Sequence, residues 1–387
     1  MRIMIQNNYS RILSLPDLIG RSSHFLFGPR SIGKTYLIHQ QLPDAKLYDL
    51  LDSDTFSRLA RRPKILEEEL GEPGRIVVID EIQKLPVLLD EVHRLIETKN
   101  ARFLLTASSA RKLRRGGVNL LGGRARQARL YPLCSNEIPD FDLLTYLNRG
   151  GIPRILPRED YADELRGYCD LYLREEITAE ALVRNISQFA RFLDVMALQN
   201  GEELNYEGIA GDCGVPARTL HNYVQILEET LVGFPVHSFR ATKKRKAIAR
   251  SKFFLFDVGV VNAMAQRGVI APRGELFVKC FEHFLFMELR AYLGYRRSAA
   301  ALQYWRSTAG FEVDCVVGDL LALEFKSSDM VTERHLRGLK ALREEGLVRD
   351  YAVISLDPEP RCVDGINIYP WRKFLADMWA DRLLPLL

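Results

Sequence analysis

Short apolar runs and amphipathic stretches alternate along the first third of the chain. His24–Phe27 is an apolar run of strand type, and Lys34–Gln41 after it has helical character. Lys46–Leu51 predicts a second strand, and the charge-rich stretch Ser53–Leu70 a helix. Arg75–Asp80 carries four consecutive apolar residues, the pattern of a parallel strand buried on both faces. Ala101–Ala107 predicts another strand, and Arg129–Leu133 is expected to close the sheet. Strands alternating with helices predict a doubly wound α/β unit. Further on, Tyr161–Leu182 predicts a helical lid. Ile186–Ser238 predicts a helix-turn-helix with helices over Phe189–Leu198, Tyr206–Asp212 and Thr219–Leu231, and with Gly214 at the turn. Phe253–Asp257 predicts a strand and Glu275–Tyr295 a long helix. A hairpin is predicted to turn at Gly318-Asp319, followed by a helix over Leu336–Leu347, a strand over Asp350–Ser355 and a terminal helix over Trp371–Leu384.

A chain of 387 residues fits two to four domains. Its 54 basic and 50 acidic residues leave a net charge of +4, too small to imply a nucleic-acid partner by itself. The six cysteines are scattered with no C-x-x-C pair, which suggests buried thiols in a reducing compartment and argues against zinc. The first residues lack the apolar centre of a signal peptide, and no apolar run is long enough to span a bilayer. A cytoplasmic location without a membrane partner is the expectation.

The stretch Gly28-Pro29-Arg30-Ser31-Ile32-Gly33-Lys34-Thr35 fits the phosphate-loop pattern G-x-x-x-x-G-K-[S/T]. The two glycines allow a sharp turn that turns backbone N–H groups toward phosphate. Lys34 places charge on the β/γ-phosphates, and the Thr35 hydroxyl suits Mg²⁺. The strand Arg75–Asp80 ends in the paired carboxylates Asp80 and Glu81. In a P-loop ATPase the first holds Mg²⁺ and the second orients and deprotonates the attacking water. Thr106 or Ser108, at the end of the next strand, is the candidate to sit between metal and γ-phosphate, the alternative being a simple strand-end turn. Arg124 and Arg126 are candidate arginine fingers, in cis or from a neighbouring subunit, or else solvated arginines. Arg111–Gly117 is read as a basic loop.

The third helix of the helix-turn-helix would present Arg218, His221, Asn222 and Gln225 outward, to read DNA or to pack on a neighbouring domain. Beside it cluster Arg240, Lys243, Lys244, Arg245, Lys246, Arg250 and Lys252. Such a tip suits phosphate backbones through counterion release, the alternative being a solvated loop. In the C-terminal part, Asp314 and the Glu324-x-Lys326 pair follow Glu282. Period-2 alternation sets Glu324 and Lys326 on one strand face. Asp314, Glu324 and Glu282 are candidate Mg²⁺ ligands, and Lys326 is a candidate to act on the attacking water. Arg306 either contacts phosphate or pairs with an acid.

GPRSIGKT, IVVIDEIQKLP, FLLTASSARKL, LLGGRARQARLYPL and the later GGIPR, in this order, resemble one group of bacterial and archaeal AAA+-type ATPases. These carry a winged helix and a C-terminal domain similar to the PD-(D/E)xK restriction-endonuclease-like nucleases. The chain departs from that group at Ala107, where Gly is usual. The resemblance implies an α/β multidomain protein: an N-terminal P-loop, AAA+-like parallel sheet (1–153), a helical lid (154–185), a winged helix-turn-helix (186–250) and a restriction-endonuclease-like α/β domain (251–387). The expected function is an ATP- and Mg²⁺-dependent, DNA-associated ATPase coupled to a nuclease-like domain, with homo-oligomerisation open. The alternative is a nucleotide-gated DNA-binding switch whose nuclease-like domain does not cut.

Overall fold

The computed structural model describes residues 9–71, 74–109, 111, 113, 121–176 and 185–383. A short helix α1 (Leu15–Ile19) precedes a sheet of five parallel strands: β1 (Ser23–Phe27), β2 (Lys46–Asp49), β3 (Ile76–Asp80), β4 (Arg102–Ala107) and β5 (Ala125–Arg129). Their order is β2-β3-β4-β1-β5. Helices α2 (Lys34–Gln41), α3 (Ser53–Arg61), α4 (Ile65–Glu68) and α5 (Leu88–Lys99) make the connections. Alternation along the strands divides the core. Phe25, Phe27, Val77, Ile79, Phe103 and Leu105 pack on one face with α3 and α5, while Leu26, Val78 and Leu104 pack on the other with α1 and α2.

Two expected elements differ. The helix over Ser53–Leu70 is broken, because Arg62 precedes Pro63 and is driven to an extended conformation (φ −146°, ψ 80°). The closing strand is Ala125–Arg129 and not Arg129–Leu133. It is an edge strand, so Arg126, Gln127 and Arg129 are exposed and it shows no apolar run.

Helices α6 (Leu143–Arg149) and α7 (Tyr161–Tyr168) follow, the latter continued by a π-helical stretch to Glu176. The rest of the expected lid helix, 177–182, lies outside the described residues. The three helices expected there are present as α8 (Ile186–Leu198), α9 (Tyr206–Cys213) and α10 (Ala217–Glu229), with Gly214 left-handed (φ 66°) at the turn. Phe189, Phe192, Leu220, Tyr223, Val224 and Leu227 belong to the same continuous core as Leu26 and Leu104. The three helices therefore pack onto the N-terminal unit.

Strands β6 (Gly233–Ser238) and β7 (Lys252–Leu255) form the hairpin after α10. It does not project as a free wing. β6 also pairs in parallel, through His237 and Ser238, with the first strand of the C-terminal sheet. The chain continues through α11 (Val258–Met264), α12 (Glu275–Tyr295), β8 (Leu302–Arg306), β9 (Glu312–Val317), β10 (Leu321–Lys326), α13 (Arg337–Arg343), β11 (Asp350–Ser355), β12 (Arg361–Val363), β13 (Ile366–Pro370) and α14 (Trp371–Trp379). The eight strands run β12-β13-β11-β10-β9-β8-β6-β7. Asp257, between β7 and α11, caps α11 through Val260 N–H (3.0 Å) and accepts Gly151 N–H at 2.7 Å. A Cβ at Gly150 would lie 2.1 Å from its carboxylate, which requires glycine there.

Candidate functional site

The phosphate loop lies where the parallel strands end, between β1 and α2. Gly28 must be glycine, because a Cβ there would come within 2.7 Å of the Leu130 carbonyl oxygen. Ser31 and Gly33 adopt left-handed backbone (φ 63° and 93°). Gly33 stands at the N-cap of α2, where no side chain caps the helix, so its first N–H groups are available to an anion. Lys34 folds back onto the loop, donating to the carbonyls of Gly28 (2.8 Å) and Pro29 (3.1 Å), and lies 3.8 Å from Glu81. Burial lowers its pKa, and Glu81 and Asp80 oppose the shift.

Thr35 Oγ1 donates to Asp80 Oδ2 at 2.6 Å, and Thr106 Oγ1 donates to Asp80 Oδ1. Thr106 also accepts the Glu81 N–H at 2.9 Å, which holds Glu81 in a left-handed conformation (φ 59°). Ser108 donates to Glu81 Oε2 at 3.0 Å, and Gln83 Nε2 donates to Glu81 and, at 2.9 Å, to Ser108. Both polar residues of the β4 end are thus used, Thr106 on Asp80 and Ser108 on Glu81. Gln83, two residues past the carboxylate pair, lies inside the IVVIDEIQKLP motif, but the sequence alone assigns it no role. A loop that must be glycine, an uncapped helix end and a hydroxyl–carboxylate pair fit a Mg²⁺–nucleotide.

Arg124 and Arg126 sit elsewhere. Arg126 pairs in register with His24, so both arginines lie at the opposite end of β1 from the loop. Arg124 is bound to Glu97 at 2.5 Å. Neither serves the loop of its own chain, which corrects the cis expectation. Of the basic loop 111–117, residues 112 and 114–117 lie outside the described residues. Arg111 pairs with Glu229 at the end of α10.

The second site is a cavity of about 280 Å³ lined by Lys252, Glu282, Glu312, Asp314, Glu324 and Lys326, among others. The structure brings the four sequence-predicted residues together. Lys326 Nζ lies 2.6 Å from Glu324 and 3.7 Å from Asp314. Asp314 Oδ2 accepts the Phe325 N–H at 2.7 Å. Lys252 and Glu312 are additions. Lys252 Nζ lies 3.2 Å from both Glu282 and Glu312, over the Tyr304 ring. Burial pushes Glu324 up to about 8, with Asp314 adding and Lys326 opposing. Burial likewise raises Glu282 to about 7 against the pull of Lys252. Burial works against charge on Lys252, but Glu282, Asp314 and Glu312 outweigh it and raise its pKa.

Among the described residues, no three His, Cys, Asp or Glu side chains converge closely enough to hold a metal ion. This differs from the expected ligand set Glu282, Asp314 and Glu324. The reason is that a lysine ammonium stands between the members of each carboxylate pair. The donors have the right chemistry, and buried Glu324 Oε2 has no hydrogen-bond partner.

The expected DNA contacts divide. Arg218 and Asn222 are exposed on α10. His221, also on that face, stacks on Tyr206 with ring centres 3.9 Å apart. Lys243, Lys244 and Lys246 are exposed, but their loop is pinned. The Glu345 carboxylate accepts the N–H groups of Lys243, Lys244 and Arg245 at 2.8–2.9 Å. Arg245 pairs with Glu344 at 2.6 Å and covers Phe311, so it is a packing residue. Arg306 pairs with Glu203 at 3.2 Å.

Residues 21–139 match a family model described as an AAA domain. Two models described as domains of unknown function match residues 140–269 (DUF8612) and 278–374 (DUF4143). An uncharacterized protein of Methanocaldococcus jannaschii is 26% identical over 57% of this chain and 58% of its own length. An uncharacterized protein of Haemophilus influenzae is 23% identical over 55% of this chain and 56% of its own. The chain thus spans little more than half the length of these curated relatives. Among solved structures, a Walker-type ATPase of Pyrococcus abyssi is similar at 15% identity and a TM-score of 0.45, over 65% of this chain and 93% of that one.

The AAA domain is tied to the C-terminal sheet by buried polar groups. Arg11 donates to Glu137 (3.1 Å), to the carbonyls of Ile32 (3.1 Å) and Tyr131 (2.5 Å), and to the Tyr295 hydroxyl at the end of α12 (3.2 Å). Glu288 of α12 accepts from Ser135 N–H (2.6 Å) and Trp379 Nε1 (2.7 Å). The helix that carries Glu282 therefore ends beneath the phosphate loop. Among the described residues no helix is long and apolar enough to cross a membrane.

Proposed function

We propose that the AAA domain binds and hydrolyses ATP with Mg²⁺, and that this cycle drives a divalent-metal-dependent, nuclease-like site acting on DNA. The observation that carries the reading is the joined cluster Lys34–Thr35–Asp80–Glu81–Thr106. Thr35 and Asp80 would hold Mg²⁺, which when bound neutralises phosphate charge. Lys34 exchanges its two loop carbonyls for phosphate oxygens. Glu81, positioned through Thr106 and Ser108, takes the proton of the attacking water. In the C-terminal cavity Asp314, Glu324 and Glu282 would supply carboxylates to a metal once the ammonium groups on them yield, and Lys326 would position the water. Exposed Arg218, Asn222, Lys243, Lys244 and Lys246 support a DNA backbone contact. Arg124 and Arg126, remote from their own loop, would reach a nucleotide only in a homo-oligomer, where they would face that of a second copy.

The neutralisation of each carboxylate pair by a lysine favours a second reading, a nucleotide-gated DNA-binding switch that does not cut. Labelled single-stranded, duplex and branched DNA with Mg²⁺ or Mn²⁺, with and without ATP, separates the two. Cleavage altered by ATP and lost in Lys326→Ala is the expected result. Absence of cleavage with ATP turnover intact would establish the switch.

A further inference from the structure

We infer that Lys252 is a built-in cation of the C-terminal cavity, and that its ammonium and a divalent metal ion compete for Glu282. The inference rests on reading this cavity as a cation site, and not on DNA cleavage.

Lys252 comes from β7, outside the strands and helix that supply the expected constellation. Its side chain is 9% exposed and spans Glu282 and Glu312 at 3.2 Å each. The backbone is fixed by pairing with Val236 in β6 and by a bridge to Glu203. The ammonium thus stands on the Glu282 carboxylate that a metal ion would need. The cavity nonetheless remains short of positive charge. Five carboxylates, Glu202, Glu282, Glu312, Asp314 and Glu324, line it with three ammonium groups, those of Lys252, Lys279 and Lys326, which leaves two negative charges when all are ionised. Glu324, itself 9% exposed and lining the cavity, has an Oε2 atom with no hydrogen-bond partner. An orphaned carboxylate oxygen beside two uncompensated charges supplies the donor chemistry of a divalent-ion site, while the convergence such a site needs is absent with Lys252 seated.

The site is therefore poised between two cations. With Lys252 seated, Glu282 is neutralised and the carboxylates stay apart in pairs. With Lys252 displaced, Glu282 is free to join Asp314 and Glu324 on a metal. Removing the ammonium charge should raise divalent affinity at least about tenfold, since a unit charge a few ångströms away acts strongly in a partly buried site.

The experiment titrates Mn²⁺ into the nucleotide-free full chain and follows free Mn²⁺ by electron paramagnetic resonance. Lys252→Met is expected to bind one Mn²⁺ at least about tenfold more tightly than wild type. Lys252→Arg should bind as wild type does, and Asp314→Asn added to Lys252→Met should abolish the gain. No gain in a folded Lys252→Met protein overturns the inference, as does a gain that survives Asp314→Asn. The wild-type chain gives a second readout that needs no variant to fold. Acetylation of Lys252, read by mass spectrometry, should rise on saturation with Mn²⁺, and an unchanged yield overturns the inference. A chain that passes these tests and cuts no DNA loses the nuclease reading alone. A chain that cuts DNA while Lys252 changes nothing loses this inference alone.

Discussion

The two charged clusters hold their lysines in opposite ways. Lys34 hydrogen-bonds only to carbonyls of its own loop, with Glu81 no nearer than 3.8 Å, and Asp80 is held by hydroxyls. In the C-terminal cavity each lysine is locked between carboxylates. A neutral carbonyl is exchanged for a phosphate oxygen with a gain in charge attraction. A carboxylate–ammonium pair must be separated before either member can serve a ligand. The first site is open to its ligand as it stands, and the second is closed by its own charges.

The largest break of this contrast is Lys34→Ala. ATP turnover should fall by about 10²–10³-fold, as when one electrostatic group facing transferring phosphate is lost. The stability of the chain should change by about 1–2 kcal/mol in urea denaturation, because two neutral carbonyl partners and one ion pair at 3.8 Å are lost. The opposite pattern is expected for Lys326→Met, which leaves Asp314 and Glu324 uncompensated. It should destabilise by about 3–5 kcal/mol at pH 8.5. The loss should shrink at pH 5.5, where Glu324, raised to about 8, carries its proton. A pH-independent loss would refute the charge explanation.

The wild-type chain sharpens the point without substitution. Glu282 and Glu324 are raised to about 7 and about 8 in the folded state. Raised carboxyl groups stabilise the fold fully below their unfolded values near 4.5, and that stabilisation is lost as pH rises through the folded values. The melting temperature should therefore fall between about pH 4.5 and pH 8 and level off above, on the order of a few kcal/mol in stability. Glu324→Gln should flatten that slope. The smallest effect belongs to Thr106→Val, which removes a hydroxyl serving both Asp80 and the Glu81 N–H. Stability should drop by about 1–3 kcal/mol, with the Michaelis constant for ATP less affected than turnover.

The same contrast explains what was legible in the sequence. The phosphate loop is local: strand, loop and helix occupy 19 consecutive residues from Ser23 to Gln41, and the helix limits Lys34–Gln41 follow from the pattern. Asp80 and Glu81 stand out at the end of an apolar strand. Glu275–Tyr295 and the Gly318 hairpin were equally clear, because their periodicity is unbroken. Lys252 and Glu312 were not visible as members of the cavity. Lys252 reaches Glu282 only through β7 joining the C-terminal sheet, and in sequence it ends a run of exposed basic residues. Strands β12 and β13 escaped for a different reason, since Arg361–Val363 is three residues long and exposed at the sheet edge. Arg11 belongs to no motif and Gln83 is in one that gives it no role, and only tertiary packing shows their partners.

Arg11 has a consequence for synthesis. Its guanidinium joins the Ile32 carbonyl of the phosphate loop to the Tyr295 hydroxyl, groups separated by more than half the chain. A ribosome adding roughly 5–20 residues each second exposes the loop well before Tyr295 leaves the exit tunnel. During that interval the underside of the loop lacks one of its tethers. The nascent N-terminal half then presents the Arg11 guanidinium without the Tyr295 hydroxyl that meets it in the finished chain.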